Sequence, residues 1–274
     1  MRVELAKHYG FCFGVKRAIK IAEDSKNAST IGPLIHNNEE INRLKSDFNV
    51  KTLHSIDDIN DAKKAIIRTH GIPKGDLAYL KQKGINIVDA TCPFVTKPQQ
   101  ICEQMSEEGY DIVIFGDVNH PEVKGVASYA KTRTHVVLSV DEVKNINFSN
   151  KIAVVSQTTR KIDEFLEITN YLVTNYKEVR VFNTICNATF DNQDAAKELA
   201  KRSDIMVVIG GKNSSNTKQL HGICKEFCDD SFLIESEKEI KNEWFKNKNR
   251  CGVTAGASTP DWIIQKVIGK INKI

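Results

Sequence analysis

Residues 205–216 read IMVVIGGKNSSN, and residues 111–122 read DIVIFGDVNHPE. In both stretches an apolar run ends in a glycine, a Ser or His stands four residues later, and an Asn or Glu follows two residues after that. Residues 27–38, NASTIGPLIHNN, have the same spacing. Three copies of one pattern indicate a fold built from repeated modules. The equivalent positions are Gly32, Gly116 and Gly210, then His36, His120 and Ser214, then Asn38, Glu122 and Asn216.

The repeat continues downstream of each glycine. It includes a Ser-initiated block, SIDDI at 55–59, SVDEV at 139–143 and SEKEI at 236–240, and then an apolar stretch with a polar end at 65–71, 153–159 and 253–259. In the first two copies a last apolar stretch leads to Cys92 and to Cys186, but the third copy has no such stretch before its last residue. The missing stretch is present at the other end of the sequence, where residues 3–5 lead to Cys12. We therefore predict that the N-terminal strand joins the C-terminal module.

Helical patterns separate the apolar stretches. Apolar residues at 15, 18, 19 and 22 share one helix face, and similar spacing recurs at 97–107, 190–201 and 260–271. Strands that alternate with helices form parallel sheets, whose ligands bind at the carboxyl ends of the strands. The sequence thus predicts an α/β fold, a closed ring of three pseudo-symmetric modules with mostly parallel sheets around a central cavity. The predicted modules are 13–92, 93–186, and 187–274 together with 1–12.

Composition narrows the class of protein. The 39 Lys and Arg against 35 Asp and Glu give a net charge of +4, which argues against a nucleic acid partner. The apolar runs are strand-sized, far below the roughly 18 residues that a membrane span needs. The charged N-terminal residues disfavour an export signal, so we expect a cytoplasmic protein. An odd number of cysteines, seven, argues against a disulfide framework.

Three of the cysteines, Cys12, Cys92 and Cys186, stand at equivalent strand-to-helix junctions of the repeat. A helix amino terminus favours the thiolate, which is the form that binds metals. Three distant thiolates are a poor match for structural zinc, but they suit a [4Fe-4S] cluster with one iron left without a protein ligand. Taken singly, each could also be a small core residue. The remaining four cysteines have no repeated position, and we interpret them as structural: Cys102, Cys224, Cys228 and Cys251.

The polar clusters at the strand ends predict a second kind of site. Their imidazoles, hydroxyls and amide, close to helix amino termini, suit a phosphate or diphosphate without an Arg or Lys clamp. Glu122 is the one carboxylate among them, and burial beside an anion would raise its pKa and leave it able to donate a proton. Thr158 is a candidate to orient or relay that proton. The predicted binding residues are His36, His70, His120, Thr158, Ser214, Ser215, Asn216 and Ser258.

These motifs occur together, and in this order, in one known family. They are GFCFGV at 10–15, RTHG at 68–71, DATCP at 89–93, NHPE at 119–122, SQTT at 156–159, NTIC at 183–186, GGKNSSNT at 210–217 and TAGASTP at 254–260. With this set the chain resembles the 4-hydroxy-3-methylbut-2-enyl diphosphate reductase (LytB-type) family over essentially its full length. The resemblance implies the last step of the methylerythritol phosphate route, a reductive dehydroxylation that yields isopentenyl and dimethylallyl diphosphate.

The resemblance also implies a trefoil of three pseudo-symmetric α/β modules around a central iron–sulfur cluster, in agreement with the repeat, and it implies roles for individual residues. Cys12, Cys92 and Cys186 would hold a central [4Fe-4S] cluster with its fourth iron open to substrate, and Glu122 would donate the proton, with Thr158 and His120 as further catalytic residues. The eight polar residues named above would bind the substrate, most of them at its diphosphate. A ferredoxin or flavodoxin would supply electrons to an enzyme that we expect to be monomeric.

Three other functions are compatible with parts of the pattern. An iron–sulfur electron carrier would leave the Glu122 and Thr158 pair unexplained. A non-redox [4Fe-4S] hydro-lyase would also need an open iron, but would consume no electrons. A phosphate-binding α/β protein with zinc or no metal would explain the polar clusters and leave the three cysteines without a role.

Overall fold

Strands and helices alternate along the whole computed structural model, which describes residues 1–59 and 62–274. Within these residues the strands are β1 (Arg2–Leu5), β2 (Ser29–Ile31), β3 (Lys51–Leu53), β4 (Lys64–Ile67), β5 (Asn86–Asp89), β6 (Asp111–Phe115), β7 (Thr134–Val137), β8 (Lys151–Ser156), β9 (Glu178–Val181), β10 (Ile205–Ile209), β11 (Ser231–Ile234) and β12 (Arg250–Ala255). The helices are α1 (Phe13–Ser25), α2 (Asn38–Phe48), α3 (Lys74–Gln82), α4 (Pro93–Glu107), α5 (Pro121–Ala127), α6 (Val140–Lys144), α7 (Ile162–Asn175), α8 (Asn187–Ala200), α9 (Ser215–Phe227) and α10 (Asp261–Ile271). In this described part, none of the helices has the length and apolar character to cross a membrane.

The strands form three four-stranded sheets with one common order. The orders are β3-β2-β4-β5, β7-β6-β8-β9 and β11-β10-β12-β1. Every neighbouring pair is parallel. Parallel neighbours need crossover connections, which the helices between the strands provide. The predicted α/β class and the threefold repeat are therefore confirmed.

The N-terminal strand completes the C-terminal sheet. β1 pairs with β12 in parallel, from Arg2 opposite Arg250 to Leu5 opposite Val253. It takes the edge position that β5 and β9 occupy in the other two sheets. The prediction that the first strand joins the last module is confirmed.

The opposite edge strands, β3, β7 and β11, are short and mix polar with apolar residues, so the repeat pattern alone did not assign them. Their presence explains the Ser-initiated block that follows each of them. Ser139 caps α6, because its hydroxyl accepts a hydrogen bond from the Glu142 N–H at 3.3 Å. Ser55 likewise accepts from the Asp57 N–H at 3.2 Å. The repeated serine thus marks the turn after each edge strand.

The chain divides into two compact units. Unit 1 comprises Met1–Lys16, Ile35–Arg43 and Asn187–Ile274 and holds the sheet β11-β10-β12-β1; unit 2 comprises Arg17–Leu34 and Leu44–Cys186 and holds the other two sheets. Each sheet lies within one of the three predicted modules. The module boundaries themselves stay a prediction.

The inner strands form the cores of the sheets. All residues of β6 and of β10 are buried, as expected for parallel strands that are covered on both faces. In unit 1, α10 packs its apolar face, which includes Ile264 and Val267, against β10 residues such as Val207. Burying each such side chain contributes about 1.5–3 kcal/mol. These buried strands provide a rigid base for the loops at their carboxyl ends.

Candidate functional site

The three repeat cysteines occupy equivalent junctions. α1, α4 and α8 each begin directly after one of these residues, and all three thiols are half-buried. The backbone N–H of each cysteine donates to a carbonyl just beyond the neighbouring inner strand. The pairs are Cys12 with Ala257 (3.2 Å), Cys92 with Thr69 (3.0 Å) and Cys186 with Thr158 (2.9 Å). Each of the three thiols therefore stands at a helix amino terminus, in the same kind of local setting.

A cavity of about 230 Å³ in unit 1 borders Cys12. Its wall also includes Lys7 and His8 from the loop after β1, and Asp191 and Asn192 from α8. Cys12 thus lines a cavity and is half-buried, which is compatible with a ligand-binding thiol.

The other four cysteines are buried. Burial raises the pKa of Cys102, Cys224 and Cys251 to about 12, and it also raises the pKa of Cys228. A buried thiol with a raised pKa is a poor metal ligand, because metals bind the thiolate. These observations support the interpretation of the four as structural.

In unit 2, Glu122 lies in the first turn of α5 with 2% of its surface exposed. Its carboxylate accepts the Thr158 N–H at 2.7 Å and the Thr158 hydroxyl at 2.8 Å. Burial raises the pKa of Glu122, and the two hydrogen bonds from Thr158 oppose that rise in part. The net direction favours the neutral carboxylic acid, which is the form that can donate a proton.

Two imidazoles lie beside this acid. His120 is the N-cap of α5, and its Nδ1 accepts the Glu122 N–H at 3.2 Å. In the neutral ring this places the proton on Nε2, which becomes the donor. The His70 ring packs edge-on against it, with ring centroids 5.5 Å apart. The structure therefore brings His70, His120, Glu122 and Thr158 together within unit 2.

In unit 1, Ser214 and Asn216 stand at the start of α9. Ser214 caps the helix, since its hydroxyl accepts the Thr217 N–H at 3.3 Å. Asn216 is 5% exposed, and neither its amide nitrogen nor its amide oxygen has a hydrogen-bond partner among the described residues. A buried amide left in this state costs roughly 1–3 kcal/mol. A polar ligand at this helix amino terminus, such as a phosphate group, would satisfy it.

The His36 backbone is held by two other loops of unit 1. The Ser258 hydroxyl donates to the His36 carbonyl at 3.3 Å. Gly211 packs so closely that a Cβ added there would overlap the same carbonyl oxygen. The segment with His36 therefore lies directly against the loops that carry Ser214 and Ser258.

This close approach makes Gly211 a sensitive position. We expect Gly211→Ala to destabilise the protein by about 1–3 kcal/mol, because the His36 segment must move. Gly222→Ala is the matched control, since nothing lies within 4 Å of a Cβ added at this position in α9, and the better helix propensity should leave stability unchanged or raise it by up to ~1 kcal/mol. Urea unfolding of both variants measures the difference, and equal stability would contradict the packing described here.

Each predicted site residue thus lies at a strand end or a helix start. Unit 2 holds Cys92 and Cys186 together with His70, His120, Glu122 and Thr158, and unit 1 holds Cys12, His36, Ser214, Ser215, Asn216 and Ser258.

The sequence analysis missed Asn37, which is 4% exposed and caps α2 by accepting the Glu40 N–H at 3.0 Å. An Asn directly before a helical pattern was the available signal.

Comparisons with known proteins agree with this arrangement. Residues 3–272 match the family model described as LytB protein. The chain is 68% identical to 4-hydroxy-3-methylbut-2-enyl diphosphate reductase of Campylobacter concisus (strain 13826), over 100% of both chains. It is 69% identical to the reductase of the same name from Campylobacter jejuni subsp. jejuni serotype O:23/36 (strain 81-176), over 99% of this chain and 98% of that protein.

Two solved structures are similar over nearly the whole chain. One is (E)-4-hydroxy-3-methyl-but-2-enyl diphosphate reductase, the terminal enzyme of the non-mevalonate pathway, with a TM-score of 0.73, 41% identity and 99% of both chains covered. The other is the E-1-hydroxy-2-methyl-but-2-enyl-4-diphosphate reductase of Plasmodium falciparum, with a TM-score of 0.91 and 29% identity, over 97% of this chain and 86% of that one.

Proposed function

Because the chain belongs to the LytB protein family, we propose that it reduces 4-hydroxy-3-methylbut-2-enyl diphosphate to isopentenyl diphosphate and dimethylallyl diphosphate. Two electrons and two protons enter, the bond between carbon and the terminal hydroxyl breaks, and water leaves. The enzyme would complete the methylerythritol phosphate route to isoprenoids. The observation that carries this proposal is the equivalent placement of the three junction cysteines.

Cys12, Cys92 and Cys186 would hold a [4Fe-4S] cluster whose fourth iron is open to the substrate. Their chemistry fits this group, because each is half-buried at a helix amino terminus while the other four cysteines are buried. When bound, such a cluster would supply the electrons and a Lewis acid that makes hydroxide a workable leaving group.

The polar strand ends would bind the diphosphate with neutral donors. The buried amide of Asn216 would gain the partner that it lacks among the described residues. The serines at the start of α9 and the backbone N–H groups of its first turn add further donors. The residues we assign to substrate binding are His36, His70, His120, Thr158, Ser214, Ser215, Asn216 and Ser258.

Glu122 would provide the proton and Thr158 would direct it. The Thr158 N–H engages Oε1 of Glu122, so the acidic proton is best placed on Oε2, beside the Thr158 hydroxyl. When Oε2 carries a proton, it donates a hydrogen bond to the Thr158 hydroxyl oxygen. The Thr158 hydroxyl hydrogen is then free to point toward the substrate. The pair thereby holds one transferable proton in a place closed to bulk water, with Nε2 of His120 as a neighbouring donor.

The raised pKa of Glu122 predicts how stability depends on pH. A carboxyl whose pKa is higher in the folded than in the unfolded state binds its proton more tightly when folded, so its contribution is greatest at low pH and is lost as pH rises through the folded-state pKa. We expect Glu122→Gln to remove this loss, so that the stability of the variant relative to the wild type increases as pH rises through the folded-state pKa of Glu122. Urea midpoints measured across the pH range give the comparison, and parallel curves would contradict it.

Electron stoichiometry tests the proposed reaction. With cluster reconstituted under anaerobic conditions and reduced viologen as donor, we expect two electrons consumed for each isoprenoid diphosphate formed. Loss of water without donor oxidation would instead indicate a hydro-lyase, and a cluster that cycles without converting the substrate would indicate an electron carrier. The protein donor, a ferredoxin or flavodoxin, the monomeric state and the cytoplasmic location stay predictions.

A further inference from the structure

The first repeat holds its site residue differently from the other two. His120 and Ser214 are themselves the N-caps of α5 and α9, and the capping hydrogen bond fixes each side chain. In the first repeat α2 begins at Asn38, and Asn37 accepts the hydrogen bond from the Glu40 N–H. The cap has moved one residue beyond His36. The placement of His36 must therefore depend on contacts other than helix capping.

Glu40, four residues after His36, makes the most extensive side-chain hydrogen bonds of this segment. Its side chain is 1% exposed, and its Oε1 accepts from Arg43 Nε at 3.0 Å and from Arg43 Nη2 at 2.6 Å. Its Oε2 accepts from Trp262 Nε1 at 3.1 Å and from Arg43 Nε at 3.1 Å. A buried carboxylate is tolerated only where such partners compensate for lost hydration. The position of Glu40, and with it the start of α2, is thus tied to Trp262.

Trp262 lies in the first turn of α10, four residues after Ser258. The Ser258 hydroxyl donates to the His36 carbonyl, and the Trp262 indole donates to Glu40, so two hydrogen bonds join the same pair of segments. The spacing is four residues on both sides. This double attachment sets the position and the direction of the His36 segment relative to Ser258.

We propose that Glu40 and Trp262 are positioning residues that hold His36 beside Ser258 for binding of the substrate diphosphate. The proposal rests on the proposed function, in which both His36 and Ser258 contact that group. Loss of the attachment would leave the donors present but poorly placed, and binding of a charged group to loosened donors is weaker. The acid Glu122 lies outside this attachment, so proton donation should be retained.

Trp262→Phe is the sharpest test, because it removes the indole N–H and keeps an aromatic ring. Loss of one hydrogen bond to a buried carboxylate should raise KM about fivefold and weaken binding of inorganic diphosphate to the holoenzyme by a similar factor, with kcat within about twofold. Iron content should match that of the wild type, and Tm should fall only slightly, because Arg43 Nε still donates to Oε2. Glu40→Gln should change KM and diphosphate binding in the same direction, with a larger effect. The matched control is Trp244→Phe, since Trp244 stacks on Phe232 elsewhere in unit 1.

Different results separate this inference from the proposed function. A wild-type KM and a wild-type diphosphate affinity in Trp262→Phe would overturn the inference. A fall in Tm and kcat of the same variant at unchanged KM would also overturn it, because that result indicates a purely structural role. If Glu40→Gln fails to fold, Trp262→Phe alone decides. If the wild type does not reduce the substrate, the proposed function fails, and titration with inorganic diphosphate still decides whether Trp262 affects binding.

Discussion

Cys186→Ser will bind far less iron than the wild type and will lose turnover with it, whereas Cys102→Ser will retain both. The Cys186 thiol is half-buried directly before α8, and serine at this position can still make the backbone hydrogen bond to Thr158. The substitution therefore removes a proposed cluster ligand and leaves the junction in place. Cys102 is a buried thiol of α4 whose pKa burial raises to about 12, so it contributes packing and no ligand.

Iron and sulfide analysis of anaerobically purified protein measures this difference, with activity as the second readout. We expect the iron content and activity of Cys102→Ser to be close to those of the wild type, and both to be far lower in Cys186→Ser. Equal loss of iron in the two variants would mean that the division of the cysteines into ligands and structural residues is wrong.

Glu122→Gln will bind a normal amount of iron, and its turnover will fall by a factor on the order of 10² or more. Glutamine can keep both contacts of the native residue, with Oε1 accepting the Thr158 N–H and the amide nitrogen donating to the Thr158 hydroxyl. The variant therefore preserves the shape of the site and lacks only the acidic proton. The loss should appear in kcat, because diphosphate binding depends on other residues.

Single-turnover and steady-state assays with reduced viologen measure this effect. Glu103→Gln is a suitable control, since Glu103 pairs with Lys74 at a partly exposed position on α4 in the same unit. Wild-type activity in Glu122→Gln would remove Glu122 from the mechanism. A loss of iron in parallel with activity would assign it a structural role.

Much of the fold was predictable because the chain repeats itself. The glycines after β2, β6 and β10 and the cysteines after β5 and β9 mark equivalent strands, so residues 3–5 could be assigned to the C-terminal sheet. The edge strands β3, β7 and β11 could not be assigned in the same way. Each is only three or four residues long and begins with a polar residue, and its strand conformation depends on pairing with the neighbouring inner strand.

The candidate site was predictable as a set of residue types but not as a set of contacts. Register in the repeat singled out Glu122, yet its hydrogen bonds to Thr158 join the first turn of α5 to the turn after β8, 36 residues further along the chain, and follow only from the folded sheet. The tie between Glu40 and Trp262 spans 222 residues and gives no local signal. Side-chain pairs of this kind depend on tertiary packing, which no short pattern encodes.

The central claim is that Cys12, Cys92 and Cys186 bind one cluster, and thiol alkylation read out by mass spectrometry tests it most directly. In the iron-loaded protein all three should resist alkylation, and removal of iron by a chelator should expose all three together. Alkylation of any one of them at its apoprotein rate, while iron content stays unchanged, would contradict the claim.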